Sequence, residues 1–196
     1  MKFIFVLATA TFLFSCSKDE NQIIPPPAPS HPAMHYTDLQ NKEVDYNSGQ
    51  VIDIDQNGTN DFLFKTTPIG DPIGRVDKLR FSAISSIHAS LFVSGENASP
   101  VLNKGDVISR QNKLPYEWFI VSEVEMAEKI TSFEVPAFWQ GGWKDASHQF
   151  LAVQVTKDEQ QYQGWVELSI DTANDKLILH RSAISKEASK DVKAGF

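Results

Sequence analysis

Cysteine is almost absent: the 196 residues contain one, Cys16. A single thiol cannot close an intrachain disulfide, which excludes a disulfide-stapled scaffold. Positive charge is in deficit, with 18 Lys+Arg against 25 Asp+Glu and a formal charge of −7. Nucleic-acid binders are normally basic, so no nucleic-acid partner is expected. Long apolar runs are missing as well. The longest, Phe3 to Phe14, would span about 18 Å as a helix, well short of a ~30 Å hydrocarbon core. There is no internal repeat, and no H-E-x-x-H, G-x-S-x-G or phosphate-binding glycine loop. No enzyme class is signalled, and a non-enzymatic role is expected. What remains is ordinary: 41% apolar and 22% charged residues, which suit one folded domain and exclude a disordered or collagen-like chain.

The N-terminus reads MKFIFVLATATFLFSC. Lys2 gives a short positive start, and the apolar run has the length of a signal h-region. Leu13-Phe14-Ser15-Cys16 resembles the lipobox of bacterial lipoproteins, with an apolar residue three before the cysteine and a small residue just before it. The resemblance implies a signal peptide over 1–15, cleavage after Ser15, and lipidation (palmitate included) of Cys16. Two or more acyl chains anchor stably, at ~0.8 kcal/mol per buried CH₂, where one binds only marginally. Ser17-Lys18-Asp19-Glu20 follows, and a Lys with acidic residues after the cysteine resembles the surface-export signal of Bacteroidota lipoproteins. The expected localisation is the outer membrane, lipid-anchored, at the cell surface.

Residues 16–35 form the lipidated N-terminus and a tether. Five of the ten prolines (Pro25, Pro26, Pro27, Pro29 and Pro32) fall in this stretch. Such a run favours polyproline II, a semi-rigid spacer of ~3.1 Å per residue. The domain is expected over 36–196. Its pattern is mostly strand: Phe62-Leu63-Phe64, the alternation of Leu79, Phe81 and Ala83, and the stretches 87–93 and 130–135. The clearest part is Phe150 to Val155, a polar turn, Tyr162 to Ile170, a second turn, and Leu177 to Leu179. Only Ser122 to Lys129 reads as a short helix, placing Glu125 and Glu128 on one solvated face. Short strands between polar turns predict an all-β fold, an antiparallel, jelly-roll-like β-sandwich with one short helix.

One loop carries metal-ligand spacing. Asp53, Asp55, Asn57 and Asp61 form D-x-D-x-N-G-x-x-D within VIDIDQNGTNDFLF. Calcium takes six to eight hard oxygens. Gly58 allows a tight turn, and Thr59 can offer its backbone carbonyl. Position twelve is Phe64 rather than the bidentate Glu of an EF-hand, and the flanks read as strands. The loop resembles the calcium loops of extracellular β-proteins such as FG-GAP and thrombospondin type-3 repeats. A bound calcium would be structural. The other reading is an Asx-rich hairpin turn without metal, because Asn-Gly is itself a turn signal.

Three motifs then fall in order: the D-x-D-x-N-G-x-x-D-F loop, Lys104-Gly105-Asp106-Val107-Ile108, and Tyr162-Gln163-Gly164-Trp165-Val166. The set is similar to a group of secreted, anchored bacterial proteins of unknown function, and implies no catalytic residues. Gly164 beside Trp165 predicts a bulge or a close backbone approach. Period-two counting places Trp165 on the face opposite Val166 and Leu168, where it could cover a second layer.

Two further segments invite a ligand or a modification. Trp139, Gln140, Trp143 and Lys144 surround the pair Gly141-Gly142, and exposed indoles beside amides could stack on sugar rings. The alternative is that both indoles anchor the loop over the core. Asp171-Thr172-Ala173 resembles a Bacteroidota O-glycosylation motif, with Thr172 as acceptor. His88, His148 and His180 are scattered through strand-like stretches and read as surface or satisfied core histidines. The sequence thus points to a surface lipoprotein acting as a binding or structural module. A carbohydrate-binding component of a glycan-uptake system, with a glycan partner, is the second reading. An uncharacterised hydrolase is the third.

Overall fold

The computed structural model describes residues 31–196. Thirteen strands follow in chain order: β1 (Met34–Val44), β2 (Gly49–Ile52), β3 (Phe62–Asp71), β4 (Val76–Ser85), β5 (Ala89–Val93), β6 (Val107–Ile108), β7 (Glu117–Ile120), β8 (Glu123–Ser132), β9 (Phe138–Gln140), β10 (Gln149–Lys157), β11 (Gln160–Asp171), β12 (Lys176–Ser185) and β13 (Val192–Lys193). A six-stranded sheet runs β1-β12-β11-β10-β5-β7, and a five-stranded sheet runs β2-β3-β4-β8-β9. All pairings are antiparallel. The two sheets pack face to face as a β-sandwich.

Alternation builds the main core. Phe62, Phe64, Phe81 and Ala83 of the five-stranded sheet meet Leu91, Val153, Val166, Leu168 and Leu179 of the six-stranded sheet, all buried. The opposite face of the six-stranded sheet is buried as well. Trp165, Phe150, Ala152 and Ala183 lie there under Ile108, Val192 and Ala194, carried by the small β6–β13 ladder. With both faces covered, burial is continuous from Phe150 to Val155 in β10 and from Gln163 to Leu168 in β11. Trp165 therefore caps a second layer, as the strand count predicted.

Gly164 meets the close approach expected of it. A Cβ there would lie 2.3 Å from the Ala183 carbonyl oxygen, so only glycine lets β12 run this near.

Three expectations need correction. Ser122–Lys129 is not a helix, and no helix occurs among the described residues; the segment belongs to β8. Strand 130–135 is the end of β8, which stops at Ser132. β1 starts at Met34, inside the segment assigned to the tether, because Met34 and His35 pair with Ser185 and Ile184. No described helix is long and apolar enough to cross a membrane. Cys16, the signal segment and the run Pro25 to Pro29 lie outside the described residues.

Candidate functional site

The acidic loop is the β2–β3 connection. Asp61 N–H donates to the Ile52 carbonyl at 2.8 Å and closes the hairpin. Asp53, Asp55 and Asp61 each direct a carboxylate oxygen to a point where all lie within 4.8 Å of one another. Backbone N–H groups line the same loop: Gly58 N donates to Asp53 Oδ2 at 2.7 Å and Asn57 N to Asp53 Oδ1 at 3.1 Å. Gly58 sits at φ +87 with open space around it, the turn the sequence asked of it. Asn57 and Thr59 are exposed. Asn57 Oδ1 accepts the Thr59 N–H at 2.7 Å, and Asn57 Nδ2 donates to Asp55 Oδ2 at 3.0 Å. The structure thus brings three of the five expected ligands together and leaves two on the rim.

Asp61 is the unusual member. Its side chain is almost fully buried, and its Oδ2 accepts the Ile54 N–H at 2.8 Å. Burial, followed by the charges of Asp55 and Asp53, pushes its carboxyl from 3.8 up to about 6. A buried carboxylate beside two others repels them until a proton or a cation intervenes.

The aromatic segment divides. Trp143 is 1% exposed, and its indole N–H donates to the Ser99 carbonyl at 3.3 Å. It cannot serve as a stacking platform, so that expectation fails: the indole plugs the main core. Trp139 is half-buried against Phe81, with ring centroids 5.3 Å apart. Gln140 donates to Glu128 Oε2 at 2.8 Å, and Lys144 pairs with Asp145. The Gly pair serves the turn. At Gly141, φ +100, a Cβ would meet the Met126 carbonyl oxygen at 2.6 Å. Thr172 is exposed in the β11–β12 turn, which Asp171 Oδ1 holds by accepting the Ala173 and Asn174 N–H groups.

A third cluster escaped the sequence reading. It lies on the outer face of the six-stranded sheet, beside Trp165. Glu167 Oε1 meets His148 Nδ1 at 2.8 Å, and Arg181 Nε donates to Glu167 Oε2. The Arg181 guanidinium lies over the Trp165 ring, 5.3 Å from its centroid. The His148 and His180 rings stack at 4.0 Å. His180 Nδ1 meets Asn41 Oδ1 at 2.7 Å, and His180 Nε2 meets Ser169 Oγ at 2.8 Å.

Electrostatics follow the geometry. Burial pushes the Glu167 carboxyl up, but the Arg181 and His148 hydrogen bonds outweigh it and leave it below the ordinary range. Burial, then the neighbouring His148, lowers His180 and favours its neutral imidazole. Asn41 accepting from Nδ1–H leaves Nε2 to accept the Ser169 hydroxyl. This chain has the connectivity of a hydrolytic relay, yet Ser169 does not line the adjoining cleft, and its Oγ already accepts the His148 N–H at 2.9 Å. It holds the imidazoles in place.

Backbone irregularity builds the cluster. The β1–β12 register shifts between Asp38 and Lys42, and the β11–β12 register shifts at Glu167/Leu168. Gln40, Asn41 and His148 all have positive φ, at 58, 53 and 54. Bulges re-aim side chains, and neither bulge nor αL residue follows from alternation. The one sequence signal was Glu167, a charge inside an apolar strand on the face of Trp165.

Compared with known proteins, the chain matches no family model, no curated protein and no solved structure.

Proposed function

We propose that this chain is a lipid-anchored protein of the bacterial outer membrane, displayed at the cell surface, whose β-sandwich holds a structural calcium and works as a binding or structural module. The anchor rests on the signal-like N-terminus ending at Cys16. Resemblance of the acidic-loop and Y-x-G-W-V motifs to secreted, anchored bacterial proteins supports the same placement.

The convergence of Asp53, Asp55 and Asp61 carries the metal reading. Their oxygens fit a hard cation in type and supply three of the six to eight that calcium takes. Asp61 fits best, because a buried carboxylate against two like charges gains most from a bound cation. Asn57 and Thr59 could add oxygens from the rim. A calcium ion would supply charge neutralisation and a cross-link between β2 and β3.

Calcium titration of the full-length protein tests this reading. A ligand bound only by the native state stabilises it by about 2.7 kcal/mol at a hundredfold excess over Kd. Thermal melting should therefore show a Tm several degrees higher in calcium than in EGTA, a difference lost in Asp53→Asn. An unchanged Tm contradicts the metal. For the anchor, Cys16→Ser should release the protein from membranes into the soluble fraction, and retention would contradict lipidation.

A further inference from the structure

We propose that the outer face of the six-stranded sheet carries a cleft for a neutral glycan, with Tyr36 as the ring platform and Arg181, His148 and Asp38 as its hydrogen-bonding wall. The proposal names a ligand class within the binding-module reading and rests on that reading, but not on calcium.

The cleft is a built feature, with a volume of about 400 Å³, in the range of small-ligand sites. Two bulges adjoin it, and two αL residues, Asn41 and His148, line it. Such backbone costs of order 1 kcal/mol or more per residue and persists where the surroundings hold it. The side chains are held as well. Arg181 is fixed by Glu167 at Nε and by Trp165 under its plane. His148 is fixed by Glu167 at Nδ1 and by the His180 ring. Among the described residues, Arg181 Nη1 and Nη2 and His148 Nε2 have no protein partner, and these atoms belong to residues lining the cleft. Groups held rigid before binding lose little entropy when a ligand arrives.

The mixture of groups selects the ligand. Arg181 offers donors; His148, whose Nδ1–H is given to Glu167, offers the Nε2 lone pair of its imidazole; and Asp38 offers a carboxylate. An anion would meet Asp38 and Glu167. A metal ion would find both Glu167 oxygens already engaged. A polyhydroxylated, uncharged molecule uses donors and acceptors together. Tyr36, 54% exposed and set against Trp165 at 6.3 Å, gives the apolar surface that a sugar ring's C–H face covers. The cleft shares no residue with the aromatic segment at 139–144.

The test uses the full-length lipidated protein in detergent micelles, with histidines labelled in ¹⁵N. Soluble cello-, xylo-, manno- and malto-oligosaccharides serve as neutral probes, and oligogalacturonate as an acidic one, each titrated to millimolar concentration. At least one neutral probe should shift the His148 and His180 imidazole signals. Tyr36→Ala and Arg181→Lys should each weaken it about tenfold. Tyr36→Phe should retain most of the affinity, which separates loss of the ring from loss of the fold. Trp139→Ala on the other sheet should bind as the parent does. Absence of binding by every neutral probe overturns the proposal. So does binding that survives Tyr36→Ala, or binding confined to oligogalacturonate, which would make the cleft an anion site. A failed calcium reading would appear separately, as a Tm indifferent to EGTA with the histidine signals unaffected.

Discussion

Asp61 shows how one side chain can make a loop depend on solution conditions. Its carboxyl titrates near 6 in the fold against an ordinary 3.8. The native state then binds more protons than the unfolded state between those values, so stability falls as pH rises through that window. The interval corresponds to about 3 kcal/mol, at 1.36 kcal/mol per pH unit. Glu128 and Glu167 act with opposite sign, since their lowered values add stability that is lost as pH falls. The difference between the parent and Asp61→Asn therefore isolates Asp61. In EGTA, urea melts should show Asp61→Asn gaining on the parent between pH 4 and pH 7; parallel pH profiles would mean that Asp61 does not titrate there. Calcium should reverse the trend in the parent, because the ligands must be deprotonated to bind. The loop was legible because its spacing lies inside one hairpin. The His148–Glu167–Arg181 cluster joins β11, β12 and the residue before β10 through bulges, and no local pattern encodes that.

Elements were legible where short apolar segments stand between polar turns, as in β3, β4 and β10 to β12. β8 shows the reverse. The register slips opposite Phe81/Ser82, leaving Met126 as the extra residue. Glu125 and Glu128 therefore share the outer face at a spacing of three, which an uninterrupted strand never gives and a helix does. Arg80 then bridges both, with Nη1 3.0 Å from Glu125 and Nε 2.8 Å from Glu128. A bulge thus imitated helical periodicity. β11 offers the sharper test of element geometry. A methyl group at Gly164 would press on the Ala183 backbone, which cannot rotate away as a side chain tip can. Overpacking costs typically 1–3 kcal/mol, and a backbone contact belongs at the upper end. Gly164→Ala should lose about 3 kcal/mol in chemical denaturation, whereas a loss under about 1 kcal/mol would show that β12 moves aside freely.

The described residues form two cores that share one sheet. The main core lies between the sheets, and the second lies beneath the segment that carries β13. That segment is tied down at several points. Ala194 N–H donates to the Asp106 carbonyl, Gly105 N–H donates to the Ala194 carbonyl, and the Trp165 indole donates to the Phe196 carbonyl at 3.1 Å. β11 contributes Val166 and Leu168 to one core and Trp165 to the other, so neither core can dissolve without disturbing the same strand. This coupling predicts cooperative unfolding, with far-UV circular dichroism and tryptophan fluorescence changing together. Val192 is 1% exposed and pairs with Ile108, far in character from any site for a charge. Val192→Asp would bury an unpaired carboxylate or expel the strand, at a cost of several kcal/mol. Both probes should shift to lower temperature by the same amount. If fluorescence moved early while the far-UV signal stayed at its parental midpoint, the outer layer would be a separate unit laid over an independently stable sandwich.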